Sequence, residues 1–263
     1  MVEICDILSN EKMTENYDIY SMIIAAPRIS NAVKPGQIVH IKCGEFTLRR
    51  PLSVASAKNG TLRLCYDVRG EGTEWLSKQQ KGGKIDILGP MGNGFDVFDV
   101  SKKVLLVGGG IGIYPLYMLA ELFKANATVV LGFRTEGLIT MQKDFEETGC
   151  KLIICTDDGS YIRGKKGYAI EAVREILDNQ NIDIIMMCGP KIMMKGIAEE
   201  AVKRGIRCQA SMEERMACGV GACLACVCKI KDGGDNKFEN KRICVDGPVF
   251  DICVENGKEI DWE

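Results

Sequence analysis

The chain has 263 residues, of which 46% are hydrophobic and 27% charged, a size and balance that point to two globular domains with a small appendage. Its 34 basic and 36 acidic residues leave a net charge of −2, so there is no basic surplus for a polyanion and nucleic acid is excluded as a partner class. No apolar run approaches a bilayer span, and Met1-Val2-Glu3-Ile4-Cys5-Asp6 lacks the basic and long apolar segments of a signal peptide, so the expectation is a cytoplasmic chain with no membrane partner.

Residues 1–100 read as short strands, at 20–25, 37–42, 61–67 and 84–88, punctuated by Pro35-Gly36, Asn59-Gly60 and Gly82-Gly83. An antiparallel β-barrel is the simplest architecture, because closure removes exposed edges. The chain's single histidine, His40, alternates with apolar neighbours on one of these strands. Its default place is a partly solvated face, and it is given no catalytic part.

Two motifs in this region carry chemistry together that neither carries alone. Arg50-Pro51-Leu52-Ser53 lies between two strand-like runs, and by itself is a proline-marked strand edge. Gly70-Glu71-Gly72-Thr73 follows the next strand and opens a helix at Glu74-Trp75-Leu76. Glycines at a strand-to-helix turn leave space and free N–H groups for a phosphate, and a nearby arginine can clamp the same diphosphate.

After Gly89-Pro90-Met91-Gly92-Asn93-Gly94 the pattern changes. Apolar strands at 103–107, 128–131, 151–155 and 183–187 alternate with helical stretches at 114–124, 168–177 and 191–204, the signature of a parallel α/β sheet. The first strand runs into Gly108-Gly109-Gly110-Ile111-Gly112, a glycine turn without the full G-x-G-x-x-G spacing. The next strand ends in Gly132-Phe133-Arg134, with no acidic residue to grip a ribose. Cys188-Gly189-Pro190, followed by Met193 and Met194, ends another strand where α/β sheets bind ligands. The two methionines serve equally well as core filling. Asp157-Asp158-Gly159-Ser160 is either a loop over a cofactor or a simple turn.

Thirteen cysteines in a chain expected in reducing cytosol call for metal or redox chemistry. Scattered ones such as Cys5, Cys43 and Cys150 are explained as small buried apolar residues. The tail differs: Cys218, Cys223 and Cys226 follow the C-x4-C-x2-C spacing, and Cys244 stands seventeen intervening residues later. This is the plant-type [2Fe–2S] pattern, with Gly219, Gly221, Ala222 and Ala225 leaving room for backbone N–H groups around the sulfurs. A structural zinc site would also use four thiolates, but zinc ribbons supply paired C-x2-C knuckles and the second is missing. Cys228, two residues beyond Cys226, is an additional thiol that competes for a place in the ligand set.

A barrel with R-P-L-S and G-E-G-T followed by an α/β lobe resembles the ferredoxin–NADP reductase superfamily over nearly the whole chain. With the cysteine tail and its lead-in Glu213-Glu214-Arg215-Met216-Ala217, the chain is similar to the electron-transfer subunits of NAD-dependent (class B) dihydroorotate dehydrogenases. The resemblance implies three parts: an FAD-binding barrel (1–100), an NAD-binding α/β lobe (101–208) and a small [2Fe–2S] module (209–263). It implies that Arg50 binds the FAD phosphate and Pro51 shapes the turn, with Leu52 and Ser53 at the isoalloxazine and Ser53 near N5. Cys65, Tyr66 and Asp67 would line the other side, with Gly72 and Thr73 at the diphosphate. It further implies that Gly108, Gly110, Gly112, Cys188, Gly189 and Pro190 receive exchangeable NAD(H), and that Cys218, Cys223, Cys226 and Cys244 ligate the cluster. The implied partner is an FMN-containing catalytic subunit, in a heterotetramer of two of each, within pyrimidine (UMP) biosynthesis. Two other readings stand beside this one. One is the FAD/[2Fe–2S] subunit of a ferredoxin-dependent NADP reductase, sulfide reductase or hydrogenase. The other is a non-catalytic iron–sulfur sensor or zinc-stabilised interaction protein.

Overall fold

The computed structural model describes residues 1–232, 237–252 and 258–262. The N-terminal part contains β1 (Val2–Lys12), β2 (Ile19–Ala25), α1 (Pro27–Ser30), β3 (Ile38–Ile41), β4 (Arg50–Lys58), β5 (Thr61–Asp67), α2 (Glu71–Ser77) and β6 (Lys84–Met91). These strands close into an antiparallel barrel in the order β1-β2-β5-β4-β3-β6. Ile24, Val39, Ile41, Leu62, Leu64 and Ile87 fill its interior with no solvent exposure, each worth roughly 1.5–3 kcal/mol of burial. Strand β1 has no clean sequence signal. Cys5 and Ile7 point inward, but Val2, Ile4 and Leu8 on the opposite face are also apolar and exposed, which hides the period of two.

The second part holds β7 (Val104–Gly109), α3 (Tyr117–Phe123), β8 (Ala127–Phe133), α4 (Gln142–Glu147), β9 (Lys151–Thr156), β10 (Lys165–Lys166), α5 (Ala169–Asn179), β11 (Ile184–Cys188), α6 (Lys191–Arg204) and β12 (Arg207–Ser211). The helix expected over 114–124 is split. Gly110–Leu116 is a 3-10 turn and α3 begins only at Tyr117, because Pro115 has no N–H for an α-helical bond and clashes with the preceding turn.

The tail contributes β13 (Val227–Asp232), β14 (Glu239–Arg242), β15 (Val249–Ile252) and β16 (Lys258–Ile260). The large sheet runs β10-β9-β8-β7-β11-β12-β15, and β14-β13-β16 form a small separate sheet. All pairs of the large sheet are parallel except β12 with β15. The cysteine module thus lends a strand to the α/β lobe, and residue 208, the expected boundary, falls inside β12.

Two shared cores join the parts. Ile19, Ala55 and Cys65 of the barrel pack with Leu106, Tyr114, Met141 and Cys188 of the lobe. On the other sheet face, Leu105, Val107 and Met187 pack with Cys226, Cys228, Ile243 and Phe250 of the tail. The segment after β6 is pinned at both sides: the Asn93 N–H donates to the Gly247 carbonyl of the tail at 2.5 Å, and the Phe95 N–H to the Pro35 carbonyl of the barrel at 2.8 Å. Among the described residues no helix is long and apolar enough to cross a membrane.

Candidate functional site

Strand β4 begins at Arg50, and Arg50, Pro51, Leu52 and Ser53 are all half-buried, whereas Val54 and Ala55 beyond them are fully buried. Leu52 and Val54 turn to the barrel core, so Ser53 shares the opposite face with Ala55, which looks to the lobe. The Arg50 guanidinium sits 5.2 Å from the centroid of Phe46 and reaches across to α2. A β-carbon on Gly72 would collide with its Nε, Cζ and Nη2. The two motifs are therefore one surface, with glycine leaving the room that the arginine uses. This fits a diphosphate, which needs a fixed cation beside bare backbone.

Thr73 plays a local part. Its hydroxyl accepts the N–H groups of Arg69 (2.9 Å) and Gly70 (3.2 Å) and donates to the Gly70 carbonyl (2.9 Å), closing the turn that precedes α2. On β5, alternation divides the expected trio. Cys65 lies toward the lobe, with its sulfur 3.9 Å from that of Met141, and burial pushes its thiol up to about 11. Tyr66 turns into the barrel, stacks on Tyr20 at 5.8 Å and donates to Asn10 Oδ1 at 2.9 Å. Asp67 accepts from Arg69 Nε at 2.9 Å.

In the lobe, the strand order reverses at β7, which has β8 on one side and β11 on the other. Such switch points open a crevice at the carboxyl ends of the strands. Both glycine-containing motifs end there: Gly108 and Cys188 are register partners, and Gly112 lies so close to the Cys188 carbonyl that no β-carbon would fit. Gly109 packs on Pro190 and Met193, whereas the space above Gly110 is open. Met193 and Met194 are core filling around these turns. Cys188 is fully enclosed, and burial raises its thiol far above the ordinary value. The crevice offers bare backbone and close-packed turns, which fits a dinucleotide. In the 157–160 loop, Asp158 accepts from the Ser160 N–H and hydroxyl, and the Ser160 hydroxyl in turn receives the Glu136 N–H.

The tail's four expected ligands gather as two pairs: Cys218 with the Cys223 thiol and Cys226 with Cys244. The Val220 N–H donates to Cys218 Sγ at 3.4 Å. That bond, followed by the Cys223 N–H and thiol and the Ala222 N–H, holds the Cys218 thiol down at about 6. Backbone donors that stabilise a thiolate are what cluster sulfurs require. Among the described residues no three His, Cys, Asp or Glu side chains converge as a single-ion site. Four thiols gathered in this way fit a cluster with cysteine ligands, whose spacing along the chain is the plant-type one. Arg242, ion-paired with Asp246, donates to the Gly221 carbonyl at 3.1 Å and braces the loop. Cys228 stands apart. It is buried with Ile230 and Ile243, and burial pushes its thiol up to about 11.

Two contributors escape the sequence reading. Phe46 under Arg50 has no motif to announce it. His40, expected on a partly solvated face, is fully buried, because the cysteine loop covers the barrel there. An ideal β-carbon on Gly219 would stand 2.5 Å from His40 Nδ1 and 3.2 Å from Met91 Sδ. Burial drops the imidazole to about 4, helped by Arg49 and Arg50 and opposed by the Arg49 backbone.

Comparison with known proteins matches the lobe and the tail to family models. Residues 106–199 match an oxidoreductase NAD-binding domain, and residues 213–253 match the iron–sulfur cluster binding domain of dihydroorotate dehydrogenase B. The electron transfer subunit of dihydroorotate dehydrogenase B (NAD+) from Caldanaerobacter subterraneus is 43% identical over 82% of this chain and 84% of its own. Its counterpart from Fusobacterium nucleatum is 36% identical over 97% of this chain and 99% of its own. A solved NADH-dependent reduced ferredoxin–NADP oxidoreductase, studied for flavin-based electron bifurcation, superposes with a TM-score of 0.82 at 33% identity. It covers 99% of this chain and 90% of that one. With identity at this level along nearly its full length, the chain belongs to the family of electron transfer subunits of NAD+-dependent dihydroorotate dehydrogenase B.

Proposed function

We propose that the chain passes electrons from the FMN of a dihydroorotate-oxidising catalytic subunit to NAD+, as a step of pyrimidine (UMP) biosynthesis. The observation that carries this reading is the order of the three sites. The nucleotide crevice faces the barrel through a shared core, and the barrel strand beside the flavin motif touches the cysteine loop. When bound, FAD exchanges both hydride equivalents and single electrons and [2Fe–2S] single electrons only, which is the chemistry that this order requires. Arg50, Pro51, Gly72 and Thr73 would form the phosphate end of the FAD site, with Leu52, Ser53 and the Cys65–Asp67 strand at its ring end. Gly108, Gly110, Gly112, Cys188, Gly189 and Pro190 would receive NAD(H), with the nicotinamide on the lobe side of the barrel. Cys218, Cys223, Cys226 and Cys244 would hold the cluster.

On this reading the chain's own residues bind and orient these groups, and the substrate chemistry belongs to the partner. Cys223, Val220 and Leu224 are exposed on the cysteine loop, which supports entry of electrons there from a docked FMN-containing subunit. A cytoplasmic heterotetramer of two of each chain completes the reading. Mixing the purified chain with an FMN-containing dihydroorotate dehydrogenase subunit should give dihydroorotate-dependent NAD+ reduction that neither gives alone. The similarity to the ferredoxin–NADP oxidoreductase supports a second reading, the flavin subunit of a ferredoxin-dependent NADP reductase. A pair that ignores dihydroorotate but exchanges electrons with ferredoxin would select it.

A further inference from the structure

His40 is the only histidine in the chain. Its side chain is fully buried, and neither ring nitrogen makes a well-formed hydrogen bond, although the Arg49 backbone lies near enough to favour the protonated ring. Buried polar atoms are nearly always paired, so the ring nitrogen that faces away from the Arg49 backbone calls for a partner of its own. Its surroundings indicate which partner. On β3, His40 is the register partner of Pro51, in the flavin motif of β4. Its Nδ1 faces Gly219, the residue after Cys218, which has φ of +71° and no side chain to stand between ring and loop. The imidazole therefore occupies the contact between flavin strand and cysteine loop, where a sulfur acceptor would complete it.

We infer that His40 is a positioning residue for the iron–sulfur centre, donating a ring N–H to one of its sulfurs and raising its reduction potential. A donor to sulfur stabilises the more electron-rich reduced state, so it shifts the potential upward. A neutral imidazole carries a single N–H, so the role requires the tautomer that places it on Nδ1, the nitrogen facing the loop. It rests on the reading that the loop holds a [2Fe–2S] cluster. A side chain that merely filled core would be replaced equally well by an apolar ring.

The test uses the full cluster-loaded chain, made without a histidine tag in cells fed ring-15N-histidine. With one histidine in the sequence, the label reports a single side chain. Paramagnetic resonance of the reduced protein first establishes the cluster, and its absence would remove the cluster reading and this one with it. Where the cluster is present, nitrogen hyperfine couplings that change with ring labelling are expected. His40→Phe should lose those couplings and lower the midpoint potential, and His40→Gln, which keeps an N–H, should restore most of the potential. Couplings indifferent to ring labelling overturn the inference even if the phenylalanine variant does not fold. A folded His40→Phe protein with the wild-type potential overturns it equally.

Discussion

The guanidinium of Arg50 lies where Gly72 would carry its β-carbon, so a strand residue and a helix residue form one surface. The clash is with the far end of a flexible side chain. Gly72→Ala should therefore push the guanidinium aside and leave the backbone in place. Alanine is preferred over glycine inside a helix by about 1 kcal/mol, so thermal stability should hold or rise slightly. FAD affinity should fall by about tenfold or more, the scale of a charge-assisted hydrogen bond. Arg50→Ala should weaken FAD similarly. Equilibrium dialysis followed by flavin fluorescence checks both variants. Wild-type FAD affinity in Gly72→Ala would show that the shared surface does not hold the cofactor.

The two classes of cysteine in the tail should separate cleanly. Serine at Cys218, Cys223, Cys226 or Cys244 should abolish or strongly alter the reduced cluster's paramagnetic resonance signal. Cys228 packs among Ile230, Ile243 and Phe250, and Cys228→Ser should keep the signal while costing on the order of 1–3 kcal/mol for a hydroxyl placed in apolar surroundings. Iron content and thermal unfolding measured on the same samples separate the two effects. A lost cluster in Cys228→Ser beside an intact one in Cys244→Ser would reassign the ligands.

Burial of His40 also gives a pH dependence of stability. The unfolded imidazole titrates near 6.5 and the folded one near 4, so between these values the unfolded chain binds the extra proton. Stability is thus fully present above about 6.5 and declines as pH falls toward 4, by at most about 3 kcal/mol. Arg49 and Arg50 are the charges that face the ring, and both disfavour the proton. The lowered carboxyls of Asp99, Asp158 and Asp246 start from 3.8, so their contribution is lost at lower pH. The difference in unfolding midpoint between wild type and His40→Gln, followed from pH 7.5 to 5, should narrow as the pH falls. A constant difference would count against the buried neutral imidazole.

Legibility in the sequence followed the range of the signal. Local periodicity located β5, β9 and α6, and local spacing located the arginine, glycine and cysteine motifs. Contacts made by distant segments were not legible. Strand β15 returns to pair with β12 across the cysteine loop, and nothing in Val249–Ile252 distinguishes an edge strand of the lobe from a strand of the tail. Histidine in an alternating strand reads as half-solvated until the loop that covers it is known. Tyr66 is a milder case. The strand forms where its pattern put it, but alternation sends the Tyr66 ring into the barrel, and only packing reveals which neighbours look outward. The meeting of Arg50 with Gly72 could be anticipated only because two weak motifs occurred together.

The most decisive experiment separates electron relay from substrate chemistry. Flavin motif and nucleotide crevice are connected through the core containing Cys65, Met141 and Cys188, without passage through the cysteine loop. NADH oxidation by an artificial acceptor should therefore need only those two sites and occur in the isolated chain. Dihydroorotate-dependent NAD+ reduction should require both the catalytic partner and the cluster, because on the proposed path electrons enter at the exposed Cys223 side. Cys223→Ser removes a proposed ligand at the surface while leaving the buried pair Cys226 and Cys244, so the fold and bound FAD should survive, as flavin content and unfolding would verify. In that variant NADH–dye activity should stay within about twofold of wild type, whereas the coupled reaction should fall by at least about a hundredfold, a difference of roughly 2.7 kcal/mol or more in effective barrier. Parallel losses in both assays would place the cluster on the NADH–dye path and contradict the order of sites. Dihydroorotate oxidation by the isolated chain would contradict the division of labour between the subunits.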